Sequence, residues 1–478
     1  MFLERFYHDR LAQASYLVGC HSTGEAVVID PARHVEPYLE TAKAEGLQVV
    51  GAMETHIHAD FVSGSRELQE KTGAEIYLSA EGNDVVSTYT YSDGVTLLKE
   101  GDRVRLGHLL IEALHTPGHT PEHLTYKLTD TSRSKEPMGL FTGDFLFVGD
   151  AGRPDLLEKS VGVSETAKAS AKELFHSLQR LHNEPGHLQI WPGHGAGSPC
   201  GKAMEAVPMS TLGFEKQANP AFTYTEESEF IDFILDSQPE PPPYFKVMKI
   251  VNRKGPELLS SHSNPAEGGE DSSLLEHLHP RDVHVIDVRM PETFSNGFID
   301  QSLNLPFVKT FTEWAGWMLD YDHPIYIIAS EDVQAEVIKE LNAIGIDQIA
   351  ACFTEEVIED FKKRGNDLKT YPTVYPNEVA SQIKAAKLQP IDVRRPAEWE
   401  DGIVPHAEQK FLGDIEDWID DYNKEDKLVL YCRTGKRSAI GASILRNHGF
   451  MNVRNMDGGF VAWKQNFELE SPVKDLRE

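Results

Sequence analysis

The sequence predicts an α/β protein of several domains, and three observations carry that reading. Apolar strands alternate with amphipathic stretches through the first half, with histidines and aspartates recurring at the strand ends. A stretch rich in proline, glycine and serine then interrupts the pattern. Beyond it, one segment of about 100 residues occurs twice. At 478 residues the chain is too long for a single core, and length alone suggests about three domains.

Ala26-Val27-Val28-Ile29-Asp30 reads as a strand closed by Pro31. Val49-Val50-Gly51-Ala52-Met53 reads as a short buried strand feeding Thr55-His56-Ile57-His58-Ala59-Asp60-Phe61 into a loop. Residues 61–72 carry helix formers and stop at Gly73, so the loop joins strand to helix. Further strands are expected at 74–78, 109–114, 123–128 and 139–147. Residues 164–181 have helical periodicity, with Leu174, Phe175, Leu178 and Leu181 on one face. Together these make a layered α/β domain.

A lone His-x-His is weak evidence for a metal, because solvated loops often contain one. Three later stretches strengthen it. Thr116-Pro117-Gly118-His119-Thr120 offers a histidine in a turn, Phe141-Thr142-Gly143-Asp144 a carboxylate at a strand end, and Trp191-Pro192-Gly193-His194-Gly195 another histidine. Donors spread over strand-end loops are the pattern of a metal site on a rigid scaffold. The donors alone could hold zinc.

Gln238-Pro239-Glu240-Pro241-Pro242-Pro243 is a stiff proline run, and residues 252–273 contain little that is apolar, so a linker is expected there. Past it, Val285-Ile286-Asp287-Val288-Arg289-Met290-Pro291 recurs as Pro390-Ile391-Asp392-Val393-Arg394-Arg395-Pro396. Pro324-Ile325-Tyr326-Ile327-Ile328-Ala329 likewise matches Lys427-Leu428-Val429-Leu430-Tyr431-Cys432 at nearly the same spacing. These are two copies of one small α/β domain.

The second copy ends its strand in Cys432-Arg433-Thr434-Gly435-Lys436-Arg437-Ser438. A loop between a strand end and a helix N-terminus presents backbone N–H groups and the positive end of the helix dipole. Arg433, Lys436 and Arg437 add formal charge, which favours a thiolate nucleophile over an inert buried cysteine. Phosphate and sulfur transfer both use such a cradle. The first copy has Ala329 at the aligned place, followed by Ser330-Glu331-Asp332, and is expected to be a spacer or docking surface.

Lys+Arg 46 against Asp+Glu 76 gives a net charge of −30, which argues against nucleic acid and anionic membranes as partners. The N-terminus lacks the apolar core of a signal peptide, and no apolar run approaches the ~20 residues of a membrane span. Cys20, Cys200, Cys352 and Cys432 form no C-x-x-C pair, so a reducing cytoplasm is the expected home. Cys20 and Cys352 read as structural.

The Cys432 loop resembles the C-x-x-G-x-R loop of rhodanese sulfurtransferases, and the repeated Asp-Val-Arg segment matches as well. Phosphotyrosine-type phosphatases place the arginine one residue later, where this chain has Ser438. Gly402-Ile403-Val404 departs from the usual Gly-His-Ile of rhodaneses at a structural position. The first half resembles the metallo-β-lactamase superfamily, which implies an αββα sandwich over residues 1–250. The expected order is then a 251–273 linker, a degenerate rhodanese copy at 274–369 and an active copy at 370–478. Binuclear hydrolases such as glyoxalase II carry His-x-His-x-Asp-His, and here the last position is Phe61.

The whole chain resembles persulfide dioxygenase–rhodanese fusions. That resemblance implies one Fe(II) per chain on His56, His119 and Asp144, with His58, Asp60 and His194 nearby. It implies Cys432, Arg433, Lys436 and Arg437 as the sulfur-transfer residues. The expected small-molecule partners are a thiol persulfide, O₂, sulfite and thiosulfate, and a homo-oligomer is expected. Arg153 would serve either a substrate carboxylate or loop architecture. Cys200 reads as a loop cysteine, with a place at the substrate entrance as the other option. The competing readings are a binuclear-zinc thioester hydrolase with an appended sulfurtransferase, and a sulfur-carrier or docking module.

Overall fold

A computed structural model describes residues 1–82, 86–162, 165–279 and 282–472. The chain forms two compact units, Met1–His262 with Leu341–Asp347, and Ser263–Glu340 with Gln348–Glu478.

The first unit is built on two six-stranded sheets. One takes Phe2–His8, Gln13–Cys20, Glu25–Ile29, Gln48–Met53, Glu75–Ser79 and Val95–Leu98 in sequence order. The other runs Ser210–Thr211, Gln189–Pro192, Gly139–Gly143, Leu124–Asp130, Leu109–His115, Arg103–Leu106. Their inner faces share one core, in which Tyr16, Val18, Val27 and Met53 pack with Ile111, Tyr126, Phe141 and Trp191. Helices cover both outer faces. Tyr38, Ala42 and Leu68 pack on Leu17, Val28 and Val49 of one sheet. Leu174, Leu178 and Phe230 pack on Leu140 and Ile190 of the other. The result is the expected αββα sandwich. Burial on both faces explains why all eight residues of Gln13–Cys20 are buried. Truncating Leu174, which is fully buried, should cost roughly 2–5 kcal/mol through the cavity left behind.

The structure departs from the sequence expectations at loops that hold donors. The helix expected from residue 61 starts at Ser65. Ahead of it the Ser63 N–H donates to Asn252 Oδ1 (2.9 Å) and the Gly64 N–H to the Pro31 carbonyl (2.8 Å), so donors a helix would place elsewhere are already engaged. The strand expected to reach residue 147 ends at Gly143. Its φ of +48° turns the chain, and a Cβ there would lie 2.4 Å from Thr55 Oγ1 and 2.7 Å from His123 Nε2. The helix at 164–181 spans Thr166–Leu181, and Ser164 lies outside the described residues.

Residues 251–273, expected as a linker, carry regular structure: the last turn of the helix Tyr244–Lys254, a 3₁₀ turn at Leu259–Ser261 and the strand Ala266–Gly269. Composition misled here because that helix is anchored by particular contacts. The Asn252 side-chain amide donates to the carbonyls of His58 (2.9 Å) and Phe61 (2.7 Å), and the Tyr244 hydroxyl to that of Asp60 (3.2 Å).

The second unit holds two five-stranded parallel sheets with the same internal order. One reads Ala266–Gly269, Ile349–Phe353, Ile325–Ile328, His284–Asp287, Ser302–Asn304; the other reads Thr373–Val374, Val453–Met456, Leu428–Tyr431, Gln389–Asp392, Glu408–Gln409. The Asp-x-Arg segments form the same latch in each. The Arg289 guanidinium grips Asp287 (2.6 Å) and the Gly297 carbonyl (3.0 Å), while Arg394 grips Asp392 (2.7 Å) and the Gly402 carbonyl (2.8 Å). Among the described residues, no helix is long and apolar enough to cross a membrane.

Candidate metal centre and thiol loop

His56, His119 and Asp144 meet at the ends of three different strands, with donor atoms within 4.8 Å of one another and all three residues buried. Their outer partners fix which atom faces inward. The Thr55 hydroxyl donates to Asp30 Oδ2 (2.9 Å) and lies 2.9 Å from His56 Nδ1, so its oxygen can accept the Nδ1 proton and leave Nε2 with a lone pair. His119 Nδ1 stands 3.0 Å from the Arg153 carbonyl, with the same consequence for its Nε2. Both Nε2 atoms point at Asp144 Oδ2, at 3.9 and 3.6 Å. That carboxylate oxygen is buried without a hydrogen-bond partner. An orphaned carboxylate oxygen between two bare imidazole nitrogens is costly unless something positive sits among them. The donor set therefore fits a metal ion.

Electrostatics agree. Burial pushes the His119 imidazole down to about 4 and the His56 imidazole well below its ordinary range, so both are neutral and ligand-ready. Gly193 lets its strand end pass the site, since a Cβ there would lie 2.6 Å from Asp144 Oδ1.

The neighbouring half of the pocket is arranged differently. His194 stands between two carboxylates, Nδ1 on Asp144 Oδ1 and Nε2 on Asp60 Oδ2, both at 2.7 Å. Burial disfavours its charge, yet Asp144 and Asp60 together raise the imidazole to about 10. His194 thus bridges the two carboxylates, while Asp60 Oδ1 is buried without a hydrogen-bond partner of its own. The adjacent Phe61 is buried, its ring 4.4 Å from that of His58.

His58 is buried beside His56, ring centroids 4.3 Å apart, with Nε2 between Asp30 (3.1 Å) and Glu54 (3.0 Å) and Nδ1 without a hydrogen-bond partner. Cys200 is buried and its sulfur joins Asp60 and His194 in a second cluster. Burial, with Asp60 and Asp144 adding to it, pushes that thiol well up, so it is a protonated neighbour of the centre. Arg153 is fully buried and grips Asp155 through Nε and Nη2, both at 2.8 Å, with Nη1 on the Pro199 carbonyl (3.0 Å). Its guanidinium is thus committed to loop architecture, which leaves the substrate-carboxylate option without a group to serve it.

Sequence reasoning missed His123, Asp30, Glu54 and Glu122. His123 stacks on His56 at 5.2 Å and accepts the Asp144 backbone N–H (3.2 Å). Glu122 accepts the Ile57 N–H (2.9 Å), and Asp30 accepts the Thr55 N–H (2.7 Å). The one available signal was the Glu122-His123 pair just past His119; Asp30 was visible only as a strand terminus.

In the second unit, Cys432 lies buried between the strand Leu428–Tyr431 and the helix Lys436–Asn447. Its sulfur receives the Gly435 N–H (3.2 Å) and the Ser438 hydroxyl (3.6 Å). Gly435 takes φ +95°, which aims that N–H inward. Arg437 is clamped by Glu398 at 2.5 and 2.7 Å, Lys436 stands 3.5 Å from Glu292, and Arg433 is exposed. Two of the three expected cations are thus already matched by carboxylates.

Comparison with known proteins places these features. The metallo-beta-lactamase superfamily model matches residues 8–194, and the rhodanese-like domain model matches residues 375–466. The mitochondrial persulfide dioxygenase of Mus musculus is 30% identical over 251 residues, 51% of this chain and 84% of the relative. The chain belongs to the metallo-beta-lactamase superfamily. Within that superfamily, the hydroxyacylglutathione hydrolase of Rhodospirillum rubrum is 32% identical over 179 residues, 37% of this chain and 60% of the relative. A solved metallo-beta-lactamase from Staphylococcus aureus is 39% identical, covers 74% of this chain and 99% of its own, and superposes with a TM-score of 0.67. The chain is therefore a superfamily member with persulfide dioxygenase homologues, fused to a C-terminal rhodanese-like domain.

Proposed function

We propose that the chain is an Fe(II) persulfide dioxygenase joined to a sulfurtransferase, detoxifying sulfide-derived persulfides in the cytoplasm. The observation that carries this reading is the split pocket: two neutral imidazole nitrogens facing an orphaned Asp144 oxygen, beside a half-site in which His194 bridges Asp144 and Asp60. One ion suits that arrangement better than two, and a 2-His-1-carboxylate set leaves positions for O₂ and a sulfur substrate. His56, His119 and Asp144 would hold the iron, which supplies the one-electron chemistry that O₂ requires. Thr55 and the Arg153 carbonyl keep both imidazoles aimed, and the buried pocket limits water.

The net reaction joins a thiol persulfide, O₂ and water to give the thiol, sulfite and two protons. In the second unit the Cys432 thiolate attacks the outer sulfur of another persulfide. The S–S bond breaks and the thiol leaves with the proton. Sulfite then attacks the outer sulfur on Cys432, releasing thiosulfate and restoring the thiolate. The Gly435 N–H and Ser438 hydroxyl serve the sulfur anion throughout.

Similarity to hydroxyacylglutathione hydrolase supports a second reading, a zinc-dependent thioester hydrolase carrying the same sulfurtransferase. The deciding experiment is O₂ uptake by freshly purified protein, with metal content measured, against a panel of thiol persulfides. Uptake with about one iron per chain supports the dioxygenase; two zinc ions and O₂-independent thioester cleavage would replace it.

A further inference from the structure

We infer that Leu341–Asp347, a stretch of the first rhodanese-like copy, is a strut for the metal loop, with Arg33 and Asp347 as positioning residues. This rests on the metal-centre reading given above and is independent of which ion is held. Chain order places these seven residues far beyond the metallo-beta-lactamase stretch, yet they fold as part of the first unit. They comprise the last turn of the helix Glu331–Ala343 and the four residues after it. The Gly345 N–H donates to the Asn342 carbonyl (2.9 Å) and the Ile346 N–H to the Leu341 carbonyl (3.0 Å), which makes the turn compact. Leu341, Ile344 and Ile346 are buried. Arg33, also buried, holds the turn in place. Its guanidinium forks onto Asp347 (2.7 and 2.9 Å) and donates to the carbonyls of Asn342 (2.8 Å) and Glu257 (3.1 Å). The Asn342 side-chain amide donates to Asp347 as well (2.8 Å). A bidentate pair out of water, with further hydrogen bonds on both partners, fixes direction as well as distance.

What the turn touches gives this clamp its importance. The Ala343 carbonyl accepts the N–H of Val62 (2.8 Å), a fully buried residue whose donor needs a partner. Gly345 passes so close that a Cβ there would lie 2.8 Å from Met248 Cε and 3.3 Å from Val62 Cγ2. Val62 stands two residues after Asp60, in the loop that Asn252 and Tyr244 pin from the helix Tyr244–Lys254. The turn is the second support of that loop. From Asp60 the contacts run inward: Oδ2 to His194 Nε2, then His194 Nδ1 to Asp144 Oδ1, each at 2.7 Å. All three groups are buried, so a shift of the backbone at Val62 is passed on to Asp144 with little slack. Seven residues of the copy that lacks a thiol thus help to place a donor of the metal centre.

The test uses the full chain, stripped of metal and titrated with Zn(II) or Co(II) against a chelator, so that it reads the donor set and not turnover. His119→Ala supplies the background for ions bound elsewhere. Asp347→Asn should weaken binding about three- to tenfold, less than the 10–100-fold typical when a direct partner of a ligand is lost. Gly345→Ala, which crowds Val62 without touching Arg33, should shift affinity in the same direction and serves where Asp347→Asn fails to fold. The visible spectrum of the Co(II) form should change in both. Ile234→Ala removes buried surface from the outer helical layer. It should lower thermal stability and leave metal affinity within about twofold of wild type. Unchanged affinity and spectrum in both turn variants, or an equal loss in Ile234→Ala, would show the turn to be packing alone and overturn the inference, with the metal centre intact. Wild type that binds neither ion above the His119→Ala background would overturn the metal centre and the inference together.

Discussion

The metal centre and the thiol loop both sit at strand ends, yet their reactive atoms are prepared in opposite ways. At the metal centre the protein strips charge from its imidazoles by burial and leaves one Asp144 oxygen without a partner. At the thiol loop it gathers cations and then matches most of them with carboxylates, leaving a backbone N–H and a hydroxyl to address the sulfur. The first arrangement is suited to a cation. The second makes a modest anion cradle that holds a charge through part of a catalytic cycle. The contrast teaches that donor identity alone does not define a site; the outer partners decide what it attracts.

The sharpest way to separate the two centres is Cys432→Ser. A serine hydroxyl ionises far above neutral pH and cannot carry sulfane sulfur, so transfer should vanish entirely. The metal centre takes no donor from this loop, so persulfide-dependent O₂ uptake should continue, with sulfite accumulating in place of thiosulfate. Product analysis by thiol labelling and chromatography reads both quantities in one sample. An equal loss of O₂ uptake would instead mean that the persulfide must reach Cys432 first.

The reciprocal break is His119→Ala. With three protein donors, losing one leaves too few to hold a labile Fe(II), so bound iron and O₂ uptake should fall together to background. Thiosulfate:cyanide transfer through Cys432 should be retained. Metal analysis beside the two assays checks this, and retention of stoichiometric iron would remove His119 from the ligand set.

A subtler probe is Thr55→Val, which keeps the shape and removes the oxygen next to His56 Nδ1. Loss of such an outer partner typically costs 10–100-fold in metal affinity. Competition against a chelator should show a shift of that order, with the thiol loop unaffected. No shift would mean that stacking on His123 alone orients the ring.

Thr55 also marks where sequence reading stops. His56, His119 and Asp144 were legible because strand-end histidines and aspartates announce themselves, and Cys432 because three cations follow it within five residues. The layered fold was legible from strand periodicity, and the repeat from its Asp-Val-Arg segments. What stayed hidden acts through geometry between distant segments. Asn252 looked like the start of a linker because its neighbours are polar, yet its amide clamps the loop of His58 and Phe61. Arg153 read equally as a partner for a substrate carboxylate or as loop architecture, because nothing in the chain reveals that Asp155 turns back to grip it. His58 looked like a donor by spacing, and only the fold brings Asp30 and Glu54 to engage its Nε2.

The last prediction concerns the two copies of the rhodanese-like fold, and expects no effect. Ala329→Cys places a thiol where the second copy has Cys432, but the surroundings differ in length as well as charge. In the second copy four residues, 432–435, separate the strand ending at Tyr431 from the helix starting at Lys436. In the first copy only Ala329 and Ser330 separate Ile328 from Glu331. Two residues cannot wrap an anion with backbone N–H groups as four can. The helix that follows opens on Glu331 and Asp332, whose charges would oppose a thiolate and raise its pKa. The Ala329 backbone is already engaged, its N–H on the Phe353 carbonyl (3.1 Å) and its carbonyl receiving Gln334 (3.0 Å). A double variant, Ala329→Cys with Cys432→Ser, should therefore be as inactive in thiosulfate:cyanide transfer as Cys432→Ser alone. Recovered transfer would show that the shorter acidic loop can still support sulfur chemistry, and that the difference between the copies lies in the thiol itself.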